Sequence, residues 1–214
     1  MNPADQLGFH LDTSACTGCK ACQVACKDKN DLPVGVNWRR VAEYAGGAWR
    51  PQEGLPLAVG VFAYHVSFSC MHCQEPACLP ACPASAIRKR DDGVVLADAS
   101  RCLGCHVCSW ACPYGAPQFG GPRGPMSKCD FCADLLDRKE DPVCVAACPT
   151  RALHWGRLDQ LAAAHGALQG VEPLPAPEHT RPSVVITPHR HAQPPGRGTG
   201  NVQYLAAPKI IDSF

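Results

Sequence analysis

The chemistry this protein can perform is concentrated in its cysteines. There are sixteen, and they fall into four runs of four with none left over. The runs are Cys16, Cys19, Cys22, Cys26; Cys70, Cys73, Cys78, Cys82; Cys102, Cys105, Cys108, Cys112; and Cys129, Cys132, Cys144, Cys148. The first and third read C-x2-C-x2-C-x3-C, the second C-x2-C-x4-C-x3-C, and the fourth C-x2-C-x11-C-x3-C. Proline follows the last cysteine of runs two, three and four (Pro83, Pro113, Pro149), whereas Lys27 follows Cys26. Soft thiolates at this spacing are the ligand run of bacterial ferredoxins, whose fourth cysteine serves a neighbouring cluster. At four thiolates per cluster, the sixteen cysteines predict four [4Fe–4S] clusters and a protein that moves electrons.

Other uses of cysteine fit less well. A structural zinc site needs two C-x2-C pairs and has no use for a C-x3-C step in every run. Disulfide frameworks belong to small secreted proteins that cannot build a core, and this one has 214 residues with ample apolar content. No nucleophile–base pair, phosphate loop or dinucleotide fingerprint occurs, so no catalytic residue is assigned. The formal net charge is +1, which gives no electrostatic case for nucleic acid. The longest apolar run, Leu57 to Tyr64, is too short to cross a bilayer. Met1 to Leu11 carries neither a signal-peptide pattern nor a twin arginine, so export would depend on something else.

The elements that position these ligands follow the repeats. The last two cysteines of each run are four apart, on one face of successive helical turns, so one can point to the near cluster and the other to the far one. The expected fold is α+β and loop-rich, with two ferredoxin-like 2[4Fe–4S] units and an extended C-terminal arm. Runs two and three, joined by a short link, form one unit over residues 59–119. Runs one and four form the other over 1–58 plus 120–170, and 171–214 is the proline-rich arm. Crossed ligation then gives Cys16, Cys19, Cys22 with Cys148; Cys26 with Cys129, Cys132, Cys144; Cys70, Cys73, Cys78 with Cys112; and Cys82 with Cys102, Cys105, Cys108. Pairing of adjacent runs is a physical alternative. Strands are expected at Val59–Phe68, Val94–Ala97 and Ser183–Thr187, and an amphipathic helix at Leu158–Leu168 ending near Gly170. The arm cannot build a core alone, and the favoured reading lays it over a partner.

Several residues near the cysteines invite a role. His72 and His106 lie inside the runs, but each run already holds four cysteines, so both are expected as neighbours or surface groups rather than ligands. Trp110 and Tyr114 flank Cys112 and are expected to shield a cluster from water. Lys27, Arg39, Arg40 and Lys128 could offset the negative charge of thiolate-bound clusters.

The runs and their surroundings resemble a known family. The phrases are CTGCKACQVACKD from Cys16, RRVAEYAGG from Arg39, CLGCHVCSWACPYGAPQF from Cys102, KCDFCADLL from Lys128 and PVCVAACPTRALHWG from Pro142. Together they resemble the iron–sulfur subunits of anaerobic dimethyl sulfoxide reductases, the B subunits of those complexes, over nearly the whole length. The resemblance implies an electron conduit in a heterotrimer, between a membrane anchor that oxidises quinol and a molybdopterin catalytic subunit that reduces dimethyl sulfoxide or a similar acceptor. It supports the pairing of runs one with four and two with three. Related nitrate reductase subunits carry tryptophan where this sequence has Cys105 and hold a three-iron cluster there, so Cys105 implies four full cubanes. Formate dehydrogenase relatives end in a membrane helix not found here. The family places such subunits peripherally on the cytoplasmic membrane, in many members on the periplasmic face. The equivalent subunits of thiosulfate, polysulfide or tetrathionate reductases are the alternative within the class, and a free-standing iron–sulfur sensor the alternative outside it.

Overall fold

The structure, a computed structural model, describes residues 5–52, 55–121 and 124–203. Its strands are β1 (Leu7–Asp12), β2 (Arg40–Gln52), β3 (Leu55–Phe68), β4 (Ile87–Lys89), β5 (Val95–Ala97), β6 (Gln118–Phe119), β7 (Met126–Ser127), β8 (Leu153–Arg157), β9 (Val184–Thr187) and β10 (Asn201–Gln203). Its α-helices are short: α1 (Ala21–Lys29), α2 (Val107–Ala111), α3 (Ala133–Leu136), α4 (Val143–Ala146) and α5 (Leu158–His165). Among the described residues no helix is long and apolar enough to cross a membrane. The architecture is the α+β, loop-rich one that the cysteine runs imply.

Two small sheets frame the cysteine loops. In the first, β1 is central, antiparallel to β8 and parallel to β9, so it brings together the approach to run one, the exit from run four and the C-terminal region. In the second, β2 pairs antiparallel with both β3 and β10. The β4–β5 hairpin links run two to run three, and β6 and β7 form a further two-stranded ladder.

The alternation of β-branched and aromatic residues marks β3, but the strand begins at Leu55, before Val59. It therefore runs across the expected boundary between residues 58 and 59. Its partner β2 is hidden in sequence by Gly46–Gly47, which read as a breaker. The ladder absorbs them as a β-bulge, with the register shifting between Gly46 and Ala48 and Gly47 at φ +126°. Helix α5 stops at His165, short of the expected Leu168, because Gly166 takes φ +86°, outside the helical basin. The expected strands near Val94 and Ser183 are β5 and β9.

The main core draws on every part of the sequence. Phe9 and Leu11 of β1, Tyr64 and Val66 of β3, Phe131, Leu153, Val171, Leu174 and Ile186 are buried together. Phe9 and Phe131 stack with ring centroids 4.1 Å apart. Each such side chain contributes on the order of 1.5–3 kcal/mol by burial, and neither half of the protein owns the core. The C-terminal region, through Gln203, lies against the rest of its own polypeptide, where β9 pairs with β1 and β10 with β2. Val184, Val185 and Ile186 are buried on β9, and the Ser183 amide donates to the Met71 carbonyl at 2.9 Å. An extended segment is ordered by any sheet edge that takes its backbone bonds, and β1 of the same polypeptide offers one. Residues 204–214 of the expected arm lie outside the described residues.

Candidate metal centres

The cysteine loops repeat one another in backbone as well as in sequence. In runs one and three, Gly18 and Gly104 precede the second cysteine, with φ +71° and +66°. A Cβ on Gly18 would also run into the His65 ring, so glycine is required there twice over. Lys20 and His106 then follow the second cysteine in the left-handed region, and each opens a helix, α1 or α2, that carries the third cysteine. The C-x-x-C loop is thus bent by two closely spaced turns that aim neighbouring thiols inward.

A second repeat follows the last cysteine. Cys82-Pro-Ala-Ser-Ala, Cys112-Pro-Tyr-Gly-Ala and Cys148-Pro-Thr-Arg-Ala each place a left-handed residue three positions on: Ser85, Gly115 and Arg151. Two of these turns present the next amide to sulfur. Ala86 N–H donates to Cys82 Sγ at 3.2 Å, and Ala152 N–H donates to Cys148 Sγ at 3.3 Å. Run one lacks the proline, and its helix continues past Cys26 to Lys29. The Asn30 side-chain amide approaches Cys26 Sγ at 3.8 Å instead. Further donors reach sulfur from outside the runs: Met126 N–H to Cys102 Sγ at 3.3 Å, and Ser67 Oγ beside Cys22 Sγ at 3.3 Å. Ligand spacing alone does not reveal these donors. The alanine four positions after the last cysteine of runs two, three and four is the signal in the sequence that could have found the amides.

The fold gathers the thiols across the runs. Cys82, Cys102, Cys105 and Cys108 line one cavity of about 380 Å³. Cys70, Cys73, Cys78 and Cys112 line another of about 360 Å³, and Cys16, Cys19, Cys22 and Cys148 a third of about 300 Å³. Cys26 faces Cys129, Cys144 and Cys132, and the contact of α1 with α4 brings Cys26 to Cys144. The four groups also follow one another in space. Cys22 is a neighbour of Cys144, Cys129 of Cys70, and Cys78 packs in one cluster with Cys108.

All sixteen cysteines are free, and only Cys19 and Cys105 are exposed. Burial pushes the thiols of Cys26, Cys73, Cys78 and Cys132 up to about 12, and the surrounding cysteine sulfurs push the same way. Four thiolates cannot share such a space without a positive centre. The donor set therefore fits an iron–sulfur cluster: all-sulfur, soft, deprotonated only when metal compensates the charge, and served by amide donors that stabilise sulfur charge. In the groups containing Cys22 and Cys78, Arg39 and Lys128 respectively pull the thiol back down.

The residues around the runs take distinct roles. His72 is buried, and its Nδ1 accepts the Val95 amide at 3.0 Å; it lines none of the three cavities. His106 lines the first cavity and stacks on Phe119 at 3.6 Å between centroids. Tyr114 is buried in the wall of the second cavity and covers it, as expected. Trp110 does not shield: it is 71% exposed, because the five-residue helix α2 turns its indole away from the Cys108 face. Lys128 donates to the Val95 and Cys129 carbonyls, and Arg40 to the carbonyls of Tyr114, at 2.6 Å, and Gly115. Lys27 instead ties the loop after α1, donating to the carbonyls of Pro33 and Val36.

Comparison with known proteins agrees with this chemistry. Residues 61–158 match the family model described as a 4Fe–4S dicluster domain. The sequence is 48% identical over 206 residues to the B subunit of anaerobic dimethyl sulfoxide reductase of Escherichia coli (strain K12), covering 96% of this protein and 98% of that one. Identity to the corresponding B subunit of Haemophilus influenzae is 42% over 207 residues, covering 97% and 100%. The thiosulfate reductase electron transfer subunit of Salmonella typhi is 40% identical over 150 residues, covering 70% and 74%. With ligand runs, iron–sulfur donor sets and near-full-length similarity together, this protein belongs to the family of iron–sulfur electron-transfer subunits of anaerobic dimethyl sulfoxide reductases.

Proposed function

We propose that the protein holds four [4Fe–4S] clusters in crossed sets and relays electrons from a quinol-oxidising membrane anchor to a molybdopterin catalytic subunit. The observation that carries this reading is the gathering of cysteines from two different runs around each of three cavities. Cys16, Cys19, Cys22 and Cys148 would hold one cluster; Cys26, Cys129, Cys132 and Cys144 the next; Cys70, Cys73, Cys78 and Cys112 the third; and Cys82, Cys102, Cys105 and Cys108 the last. Runs one and four then form one ferredoxin-like unit and runs two and three the other. Each cluster, once bound, takes up and passes on a single electron. The protein's own part is to ligate, to exclude water through residues such as Tyr114, and to aim amides at sulfur.

The overall balance is closed by the partners. Quinol releases two electrons and two protons as it becomes quinone, and a sulfoxide takes up two electrons and two protons to give sulfide and water. This subunit carries the electrons singly and is itself unchanged. In this reading it sits peripherally on the cytoplasmic membrane through its partners, in a heterotrimer, on the periplasmic face. A second reading, service to a thiosulfate-type reductase, is favoured only by the 40% identity to that subunit over a shorter span.

The test is a Cys105→Ser variant in the assembled complex. It removes one thiolate of four from one set and should abolish quinol-driven reduction. Reduction fed by a small artificial donor directly to the catalytic subunit should continue. Loss of both activities in a fully assembled complex would rule out the relay.

A further inference from the structure

Arg39 lies among sulfurs of two different thiol groups. It is 2% exposed, at the end of the loop leading into β2. Its Nη1 donates to Ser67 Oγ and its Nη2 to Ser69 Oγ, both at 3.2 Å, and the guanidinium lies over the Phe9 ring at 4.7 Å. Hydroxyls and an aromatic face orient a cation but do not neutralise it. Among the described residues no carboxylate pairs with Arg39. An arginine stays charged, and a buried charge without a counter-charge is strongly unfavourable. The groups that face it are the sulfurs of Cys144, Cys22, Cys129 and Cys26.

Those four sulfurs belong to two sets. Cys22 lines the cavity shared with Cys16, Cys19 and Cys148, while Cys26, Cys129 and Cys144 belong to the adjoining group. Ser67, which orients Arg39, also touches Cys22 Sγ at 3.3 Å. Arg40, the next residue, points elsewhere, to the carbonyls of Tyr114 and Gly115. We propose that Arg39 is a positioning residue for electron transfer, a fixed positive charge held between the first two thiol sets that raises the reduction potentials of both their clusters together. The inference rests on the four-cluster reading above. A positive charge stabilises the more negative, reduced state of each neighbouring centre and so favours its reduction. One shared charge moves both potentials in the same direction.

The test is an EPR-monitored redox titration of the purified complex, comparing wild type with Arg39→Gln and Arg39→Lys. Signals are assigned by Cys16→Ser for the first set and Cys132→Ser for the second. Arg39→Gln should move the midpoints of these two clusters to more negative values and leave the other two unmoved. Arg39→Lys, which keeps the charge, should lie between Arg39→Gln and wild type. Unchanged midpoints in Arg39→Gln, an equal shift of all four clusters, or a Lys variant shifted as far as the Gln variant would overturn the proposal. If Arg39→Gln fails to retain iron, full iron in Arg39→Lys supports the role of charge, and iron loss in both overturns it. Wild-type complex lacking either of the two clusters would refute the four-cluster reading instead, so the two failures are distinguishable.

Discussion

Crossed ligation makes a prediction that ordinary single variants cannot. Cys16 and Cys148 are 132 positions apart in the sequence (148 − 16) yet line one cavity. Cys144 and Cys148 are neighbours in one run, but Cys144 lies with Cys129 and Cys148 with Cys16 and Cys22. Cys16→Ser/Cys148→Ser therefore strips two of four thiolates from a single set. Two ligands cannot retain a cubane, so iron should fall from about sixteen to about twelve per polypeptide, with three cluster signals intact. Cys144→Ser/Cys148→Ser removes the same number of thiolates, one from each of two sets, and should alter two signals while leaving only two as in wild type. If each run instead kept its own cluster, the pattern would reverse: the first pair would alter two signals and the second pair one. Iron and sulfide analysis with EPR of the reduced protein reads both outcomes. The reversed pattern would refute the crossed sets, and with them the ligand assignment built on the cavities.

Four further outcomes follow from the packing and the chemistry. Phe131→Ala removes a ring 1% exposed and stacked on Phe9, and should cost about 3–5 kcal/mol with a matching fall in the unfolding midpoint; a change below about 1 kcal/mol would show the site collapses freely. Truncation after Gly170 removes β9, the parallel partner of β1, and should lose the fold around Cys16 and Cys148 rather than merely weaken docking, which hydrogen exchange on β1 would report. Stripping iron with a chelator under oxidising conditions should raise hydrogen exchange throughout the four cysteine loops, and an apo protein with native protection would show the clusters are not structural. Burial, reinforced by His165 and His154, holds His10 at about 4 against 6.5 unfolded, so the unfolded state takes up the proton more readily and stability should fall as pH drops from about 6.5 towards 4. His10→Asn should flatten that part of the midpoint–pH curve, and an identical curve would remove His10 as the cause.

Much of the site was legible in the sequence because ligation by sulfur constrains spacing tightly. The runs, the proline steps and the break in pattern at Lys27 each report a local backbone requirement, and the structure meets them with left-handed residues, short helices and a longer α1. Strand β3 and helix α5 were readable for the same reason: their periodicity is local. What the sequence did not carry were relations between distant segments. Strand β2 was masked by two glycines that only its pairing with β3 turns into a bulge. The placement of β9 beside β1, which makes much of the expected arm part of the core, depends on a strand edge more than 170 residues away. Trp110 and Tyr114 looked equivalent around Cys112, and only the backbone path sends one, on α2, to solvent and the other, in the turn after Cys112, into a cavity wall. Arg39, Arg40, Lys27 and Lys128 were likewise four cations of equal standing in sequence. Charge type is written in the residue, but which sulfurs a charge faces is decided by the path of the folded backbone, and only there does Arg39 come to lie between two sets of thiols.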